Sequence, residues 1–413
     1  MSSYDTAISI IRRLKENGYT AYIAGGWVRD FFLEHRSDDI DIATSACVEE
    51  ITTLFPKTIP VGINFGIVIV VEEGHHFEVA TFRKDLGYED GRRPTGIAPS
   101  DPEEDAKRRD FTINGMFYDP IEKTLHDFVG GKDDLEQGII RAIGNAHERF
   151  LEDRLRMMRA VRYSCRFHFP IETKTLQAII AHAKDLFPSV AYERVWQEFV
   201  KMARFAHFDT ELIMLHQLNL LQQIFPSLKE TPISEIQSRV QHLPLFPNNC
   251  PVIAKILELF PNSTLDEKFD ICRQFRLSNK DLLFVEYLHK VEEAFSNEKL
   301  ELYDWAKLYA NEDFFTALNI LGARLEEQKR KALITKHKKQ IQKLFNPILR
   351  IQKSEPIIRS HHLKEQGIKP GKAMGSLLHE AERIAANEDL EDLEALLARL
   401  RASSHWPSSS EEN

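Results

Sequence analysis

The sequence predicts an α+β fold in which a small mixed head of strands and helices precedes a long all-helical region. Three observations predict it. Strand-like alternation and hairpin punctuation recur through the first 140 residues. From about residue 139 onward, apolar residues fall instead at three- and four-residue spacing. The 413 residues are 43% hydrophobic and 28% charged, a globular composition.

Residues 8–14 form a short amphipathic helix, and 20–24 a β run ending in Gly25-Gly26. Residues 27–35 are helical, while 38–44 alternate carboxylate and isoleucine as a strand does. Segments 65–72 and 75–82 are strands joined across Glu73-Gly74, a hairpin signal. Residues 83–104 hold Gly87, Gly91, Pro94, Gly96, Pro99 and Pro102 and read as a long loop, functional or mobile. Strands at 114–119 and 125–128 close the head. Helices follow at 148–167, 174–187, 192–205, 211–221, 266–275 and 312–345, with prolines between 226 and 261 cutting the middle into short pieces. The last ten or so residues are polar and expected to be disordered. The expected division is a head over 1–140, neck helices over 141–205, a helical body over 206–345 and a helical tail over 346–413.

Several classes are excluded. The longest apolar run, 65–71, falls far short of the roughly 20 residues of a membrane span. The N-terminus has no basic region followed by an apolar core. Cys47, Cys165, Cys250 and Cys272 are scattered, without a CxxC pair. A cytoplasmic protein without a membrane partner is expected, and nothing points to a protein partner. The net charge of −9 argues against nucleic acid only until its distribution is considered. Six arginines crowd 149–166 against Glu152 and Asp153, and seven Lys or Arg lie in 329–343 with no acid among them. A polyanionic partner fits these clusters.

A Gly25-Gly26 turn opening a helix lets backbone amides approach an anion closely, although many strand-to-helix turns use two glycines. Asp39 and Asp41, two apart on one strand, would leave the same face about 6–7 Å apart. Two such carboxylates do not both stay ionised cheaply without a cation between them. Mg²⁺, which takes carboxylates plus substrate phosphates, is the natural partner. The plainer reading is a solvated acidic edge strand. Glu78 sits amid apolar strand residues and needs a cation or a donor if buried, whereas an exposed face explains it equally well. Together the three suggest two-metal phosphoryl or nucleotidyl transfer.

Gly25-Gly26-x-Val28-Arg29-Asp30 followed by Asp39-x-Asp41-x-Ala43-Thr44 resembles the signature of class II tRNA nucleotidyltransferases and bacterial poly(A) polymerases. Further landmarks come in that family's order: Arg108-Arg109-Asp110-Phe111-Thr112-Ile113-Asn114, Asp127-Phe128-Val129-Gly130-Gly131, Glu152-Asp153-x-x-Arg156 and Glu193-Arg194-x-x-x-Glu198. The resemblance runs from about residue 20 to 205. It implies a nucleotidyltransferase head, with Asp39 and Asp41 holding Mg²⁺ (or Mn²⁺ in its place) and Glu78 as third carboxylate. Gly25, Gly26 and Arg29 would cradle the nucleotide, and Arg109 and Asp110 would contact its ribose and phosphates. The implied partners are tRNA, CTP and ATP.

Asp153 and Arg156, three apart, share one face of a helix if they lie on one. A carboxylate accepts from an exocyclic amine and a guanidinium donates to ring acceptors, a pattern that cytosine and adenine match and guanine and uracil do not. In isolation the pair would more simply be an intrahelical salt bridge. Arg156, Arg159, Arg162 and Arg166 continue at helical spacing and would meet phosphates or solvate a neck helix. Lys336, Lys338 and Lys339 would form a patch for the tRNA backbone, or a solvated helix face. The pairs His75-His76 and His361-His362 read as solvated turns, and His126-Asp127 as a strand end.

Three activities share these motifs: building the whole CCA end, adding only its terminal A, and adding poly(A). Residues 42–56 hold no Lys or Arg and the tail is Ser-rich and acidic, unlike the polymerases of the family. Full CCA addition is therefore the expectation and A-addition the runner-up. Intact Asp39, Asp41, Glu78, Arg109, Asp153 and Arg156 argue against a catalytically inactive RNA-binding relative.

Overall fold

The computed structural model describes residues 2–62, 65–87, 95–297 and 299–407. The chain gathers into two compact units, Met1–Ser238 and Arg239–Asn413.

The first unit opens with the helix Ser3–Glu16, started by a capping box between Ser2 and Asp5. Nine strands follow among the described residues: β1 (Ala21–Ala24), β2 (Asp41–Thr44), β3 (Thr58–Ile59), β4 (Ile67–Glu72), β5 (His75–Thr81), β6 (Arg83–Asp85), β7 (Ile97–Pro99), β8 (Phe117–Asp119) and β9 (Thr124–His126). Seven of them form one sheet in the order β3-β4-β5-β2-β1-β8-β9, while β6 and β7 pair as a separate ribbon. Within the large sheet only β2 and β5 run parallel. Ile23, Ile42, Val68, Val70, Phe77 and Val79 are buried and fix the register of the central strands. That register pairs Ile42 with Val79, which sets Asp41 beside Glu78 one step back along the two strands. Asp41 is also the partner of Ala24 on β1, directly before the glycine turn.

Several sequence expectations change here. Asp39 precedes β2 and is exposed, so it does not alternate with Asp41 along a strand. Glu78 is exposed, which removes the argument from a buried carboxylate. The segment 83–104 is only partly a loop, because β6 and β7 pair within it and Asp101-Pro102 starts the helix Pro102–Lys107. Residues 88–94 lie outside the described residues. The strand expected over 114–119 is present only as β8, and residues 112–114 before it form a 3₁₀ turn. His75 and His76 sit in β5, and His361 and His362 in the helix Ser360–Glu365, where the His362 ring accepts from the Arg359 amide.

The helix expected over 148–167 is two helices, Ala146–Glu152 and Arg156–Phe167. Asp153 takes extended backbone angles between them, and its carboxylate accepts from the Leu155 amide at 3.1 Å. A short polar side chain competing for backbone donors in this way interrupts a helix. Asp153 and Arg156 therefore do not share a helical face.

The second unit consists of helices joined by turns, with no strand among its described residues. The helix expected over 312–345 is split into Phe314–Ala323 and Glu327–Lys343. At the turn, Arg324 is held by Glu258 at 2.6 Å and Glu292 at 2.9 Å. The 18-residue helix Asn279–Ser296, with a Ser278–Asp281 capping box, does not stand out in the apolar periodicity. Leu363, Leu377, Ile384, Leu396 and Leu400 build the core of the last helices. Residues 402–407 follow in turns; 408–413, the rest of the expected disordered end, lie outside the described residues.

Candidate active site

Residue 25 has φ +69°, a left-handed conformation that glycine adopts without penalty. The space around it is narrow as well. A Cβ there would lie 3.3 Å from Arg109 Nη1 and 3.7 Å from Asp41 Oδ2. The turn after β1 thus lets a carboxylate and a guanidinium converge on the backbone. Asp41 is half-buried, and its carboxyl is pushed up to about 7 by burial first, then by Glu78 and Asp39, with Arg109 opposing. A carboxylate repelled by two neighbours this way is a ready ligand for a cation.

Arg109 is aimed by Asp105, a buried carboxylate that splits its two oxygens between neighbours. Arg108 binds Oδ1 at 2.7 Å and Arg109 binds Oδ2 at 2.9 Å. Burial raises the Asp105 pKa, but the two guanidinium groups outweigh it and hold the carboxyl below its ordinary range.

A chain of polar and charged pairs ties the helix after the glycine turn to the helix Arg156–Phe167. Arg166 donates to Asp30 Oδ2 at 3.1 Å, and Arg29 binds Asp30 Oδ1 at 2.7 Å. Arg29 also donates to Asn114 Oδ1 at 2.5 Å, and Asn114 donates to Asp110 Oδ1 at 3.1 Å. Arg159 closes the chain on Asp110 Oδ2 at 2.7 Å. Asp110 is buried, and although burial opposes ionisation, Arg159 and Asn114 bring its pKa down to about 2. In this geometry Asp110 anchors Arg159. Deeper along the helix, Arg162 pairs with buried Glu198 at 2.7 Å, and Lys201 reaches the same carboxylate at 3.1 Å. The expected basic stripe is therefore a row of arginines each aimed by an acid, an arrangement that presets donors for phosphate.

Asp153 and Arg156 have separate partners. Arg194 grips Asp153 with both nitrogens, at 3.1 and 2.8 Å. Arg156 is bound by Glu152 at 2.7 Å and by the carbonyl oxygens of Arg149 and Arg108 at 3.2 and 2.9 Å.

One cleft of about 860 Å³ collects these groups. Gly25, Gly26, Arg29, Asp39 and Asp41 line it from the head, with Arg109 and Asp110 beside them. Asp153, Arg156, Arg159, Arg162 and Arg166 line it from the neck. Glu78 is not among the lining residues and acts on the site through Asp41. Lys336, Lys338 and Lys339 lie on the helix Glu327–Lys343 of the second unit, where Lys336, Lys338 and Lys339 stand away from its one buried residue, His337. Among the described residues, no three His, Cys, Asp or Glu side chains close on a metal ion by themselves. Asp39 and Asp41 nevertheless fit a divalent cation that completes its shell with substrate phosphates and water.

Residues that the sequence did not single out supply the framework: Asp30, Asp105, Asn114, Tyr163, Arg194 and Glu198. Asp30, Asn114, Arg194 and Glu198 stand inside the recognised motifs, so their signal was present. Asp105 and Tyr163 carry no pattern of their own.

Residues 21–141 match the family described as the poly A polymerase head domain, and 168–231 the probable RNA and SrmB-binding site of polymerase A. The chain is 32% identical over 407 residues to the CCA-adding enzyme of Streptococcus agalactiae, covering 96% of both chains. It shares its fold with the Bacillus stearothermophilus CCA-adding enzyme solved with CTP, at TM-score 0.80 and 27% identity over 97% of this chain and 98% of that one. The Thermotoga maritima CCA-adding enzyme complexed with tRNA has the same fold, at TM-score 0.67 and 22% identity over 96% of this chain and 95% of that one.

Proposed function

The chain belongs to the CCA-adding enzyme family, and we propose that it is a template-independent nucleotidyltransferase that builds the whole CCA end of tRNA from CTP and ATP. In the reaction, the 3′-hydroxyl oxygen of the RNA bonds to the α-phosphorus of the nucleotide and pyrophosphate leaves. The observation that carries this reading is the convergence of Gly25, Asp41 and Arg109 at one end of a cleft walled by Arg29, Arg159 and Arg162.

As a member of this family the enzyme uses divalent metal ions, and Mg²⁺ suits the all-oxygen donors Asp39 and Asp41. The bound cation supplies Lewis-acid charge to the attacking and leaving oxygens. Glu78 raises the negative potential at Asp41 and so strengthens its hold. Arg109, fixed by Asp105, and the arginine row take the triphosphate and neutralise charge on the departing pyrophosphate. Catalysis of this kind rests on positioning and charge, with little covalent work by the protein.

Asp153 and Arg156 read the base. The carboxylate accepts from cytosine N4 or adenine N6, and the guanidinium donates to the ring acceptor beside it. Guanine and uracil present the opposite polarity and meet like groups. The helix break at Asp153 supports this role, because it turns the carboxylate out of the helical ladder toward Arg194 and the cleft. The lysines 336, 338 and 339 are assigned to the tRNA backbone. The four-part division of the chain into head, neck, body and tail belongs to the same reading.

The test is incorporation of each labelled nucleoside triphosphate into a tRNA transcript lacking CCA. CTP and ATP together should restore the full end, with UTP and GTP left out. Incorporation of ATP alone into long tails would replace this reading with poly(A) synthesis.

A further inference from the structure

Tyr163 stands one turn past Arg159 on the neck helix Arg156–Phe167 and is buried at the wall of the cleft. Three guanidinium groups gather on its ring. Their central carbons lie 4.3 Å (Arg162), 5.2 Å (Arg29) and 5.5 Å (Arg159) from the ring centroid. Its hydroxyl accepts from Arg159 Nη2 at 3.1 Å. Two of these arginines belong to the tyrosine's own helix, whereas Arg29 comes from the helix after the glycine turn. Phe111 meets the ring edge-on at 5.7 Å, and Phe167 lies nearly parallel at 6.2 Å, so aromatic neighbours fix its plane.

Three like charges around one point repel one another, and the carboxylates of Asp30, Asp110 and Glu198 each pair with only one of them. The electron-rich ring is a group that all three share. We propose that Tyr163 is a positioning residue for the triphosphate: its ring holds Arg29, Arg159 and Arg162 at fixed spacing across the neck and head sides of the cleft. This rests on the nucleotidyltransferase reading above for the identity of the ligand, but the anion site is defined by the arginines themselves.

The probe is inorganic tripolyphosphate, titrated calorimetrically against the whole chain, alongside KM and kcat for CTP with tRNA. Replacing Tyr163 by a series of phenylalanines of increasing fluorination keeps the shape while draining negative charge from the ring face. Tripolyphosphate affinity should fall stepwise along the series, by about tenfold at full fluorination, as expected for a desolvated cation–π contact. KM for CTP should rise in parallel, with kcat little changed. Tyr163→Phe should retain wild-type affinity within about twofold, and Tyr163→Leu should match or exceed the loss at full fluorination. A flat fluorination series, or Tyr163→Phe as impaired as Tyr163→Leu, overturns the proposal. Absence of any nucleotide addition by the wild type would instead sink the functional reading, and the tripolyphosphate titration would still report on the ring.

Discussion

Arg194 holds both carboxylate oxygens of Asp153, with Nη1 on Oδ1 at 3.1 Å and Nη2 on Oδ2 at 2.8 Å. The orientation of the carboxylate proposed to read the base therefore depends on a residue 41 positions away, on the helix Tyr192–Met202. Arg194→Ala should leave Asp153 mobile and lower discrimination of CTP over UTP. Arg156→Ala should do the same by removing the donor half of the pattern. A good side chain–base pair is worth about 1–3 kcal/mol, roughly 5- to 150-fold in the CTP/UTP ratio of kcat/KM. Unchanged discrimination in both variants would mean that other residues choose the base.

Asp41→Asn should abolish nucleotide addition without loss of fold, because it removes a proposed metal ligand and relieves repulsion from Glu78 and Asp39. Thermal melting with and without Mg²⁺ separates these effects. The wild type should gain stability on adding the cation, since a ligand that binds only the native state stabilises it. The variant should melt at or above the wild-type temperature without Mg²⁺ and respond little to it.

How much of this was legible in the sequence depends on the range of the interaction. Gly25 and Asp41 could be named in advance because motif spacing reports backbone turns and short strands, whereas Arg109 was reached only through the family resemblance. The split at Asp153 could not, since the apolar spacing of Phe150, Met157 and Val161 reads straight through it. What breaks the helix is a local hydrogen bond to the Leu155 amide and a distant grip from Arg194. Glu78 was recognised by its apolar strand neighbours, yet it stands exposed, because alternation specifies which face a residue takes but not what covers that face. The roles of Asp105 and Asn114 arise only from three-dimensional pairing.

In the second unit, buried His337 lies against Phe295 at 4.7 Å and Trp305 at 5.0 Å, with the Tyr309 hydroxyl 2.8 Å from Nδ1. Burial first, then Lys336, lowers its pKa to about 4. A histidine that charges more readily when unfolded contributes stability that is complete above about pH 6.5 and lost as the pH falls toward 4. Between pH 7.5 and 5 the loss should be about 2 kcal/mol. His337→Phe should remove this component from the pH dependence of unfolding, and NMR should find the wild-type ring neutral at pH 5. A ring that titrates near 6.5 contradicts the assignment.

Replacing Lys336, Lys338 and Lys339 with glutamine should weaken tRNA binding and flatten its salt dependence, by about 0.7–0.9 in the log–log slope for every phosphate that these lysines neutralise. Addition at saturating tRNA should survive, since the cleft residues are untouched. An unchanged slope would make this face of the helix Glu327–Lys343 merely solvated.

The most direct test of the whole account uses three tRNA transcripts, ending before CCA, after the first C and after the second, each offered CTP or ATP separately and together. The account predicts that CTP alone adds two C to the first and one to the second, that ATP alone adds A only to the third, and that the two together bring all three to CCA, where synthesis stops. Addition of A alone to the third, with no C on either shorter end, would contradict it and identify an A-adding enzyme.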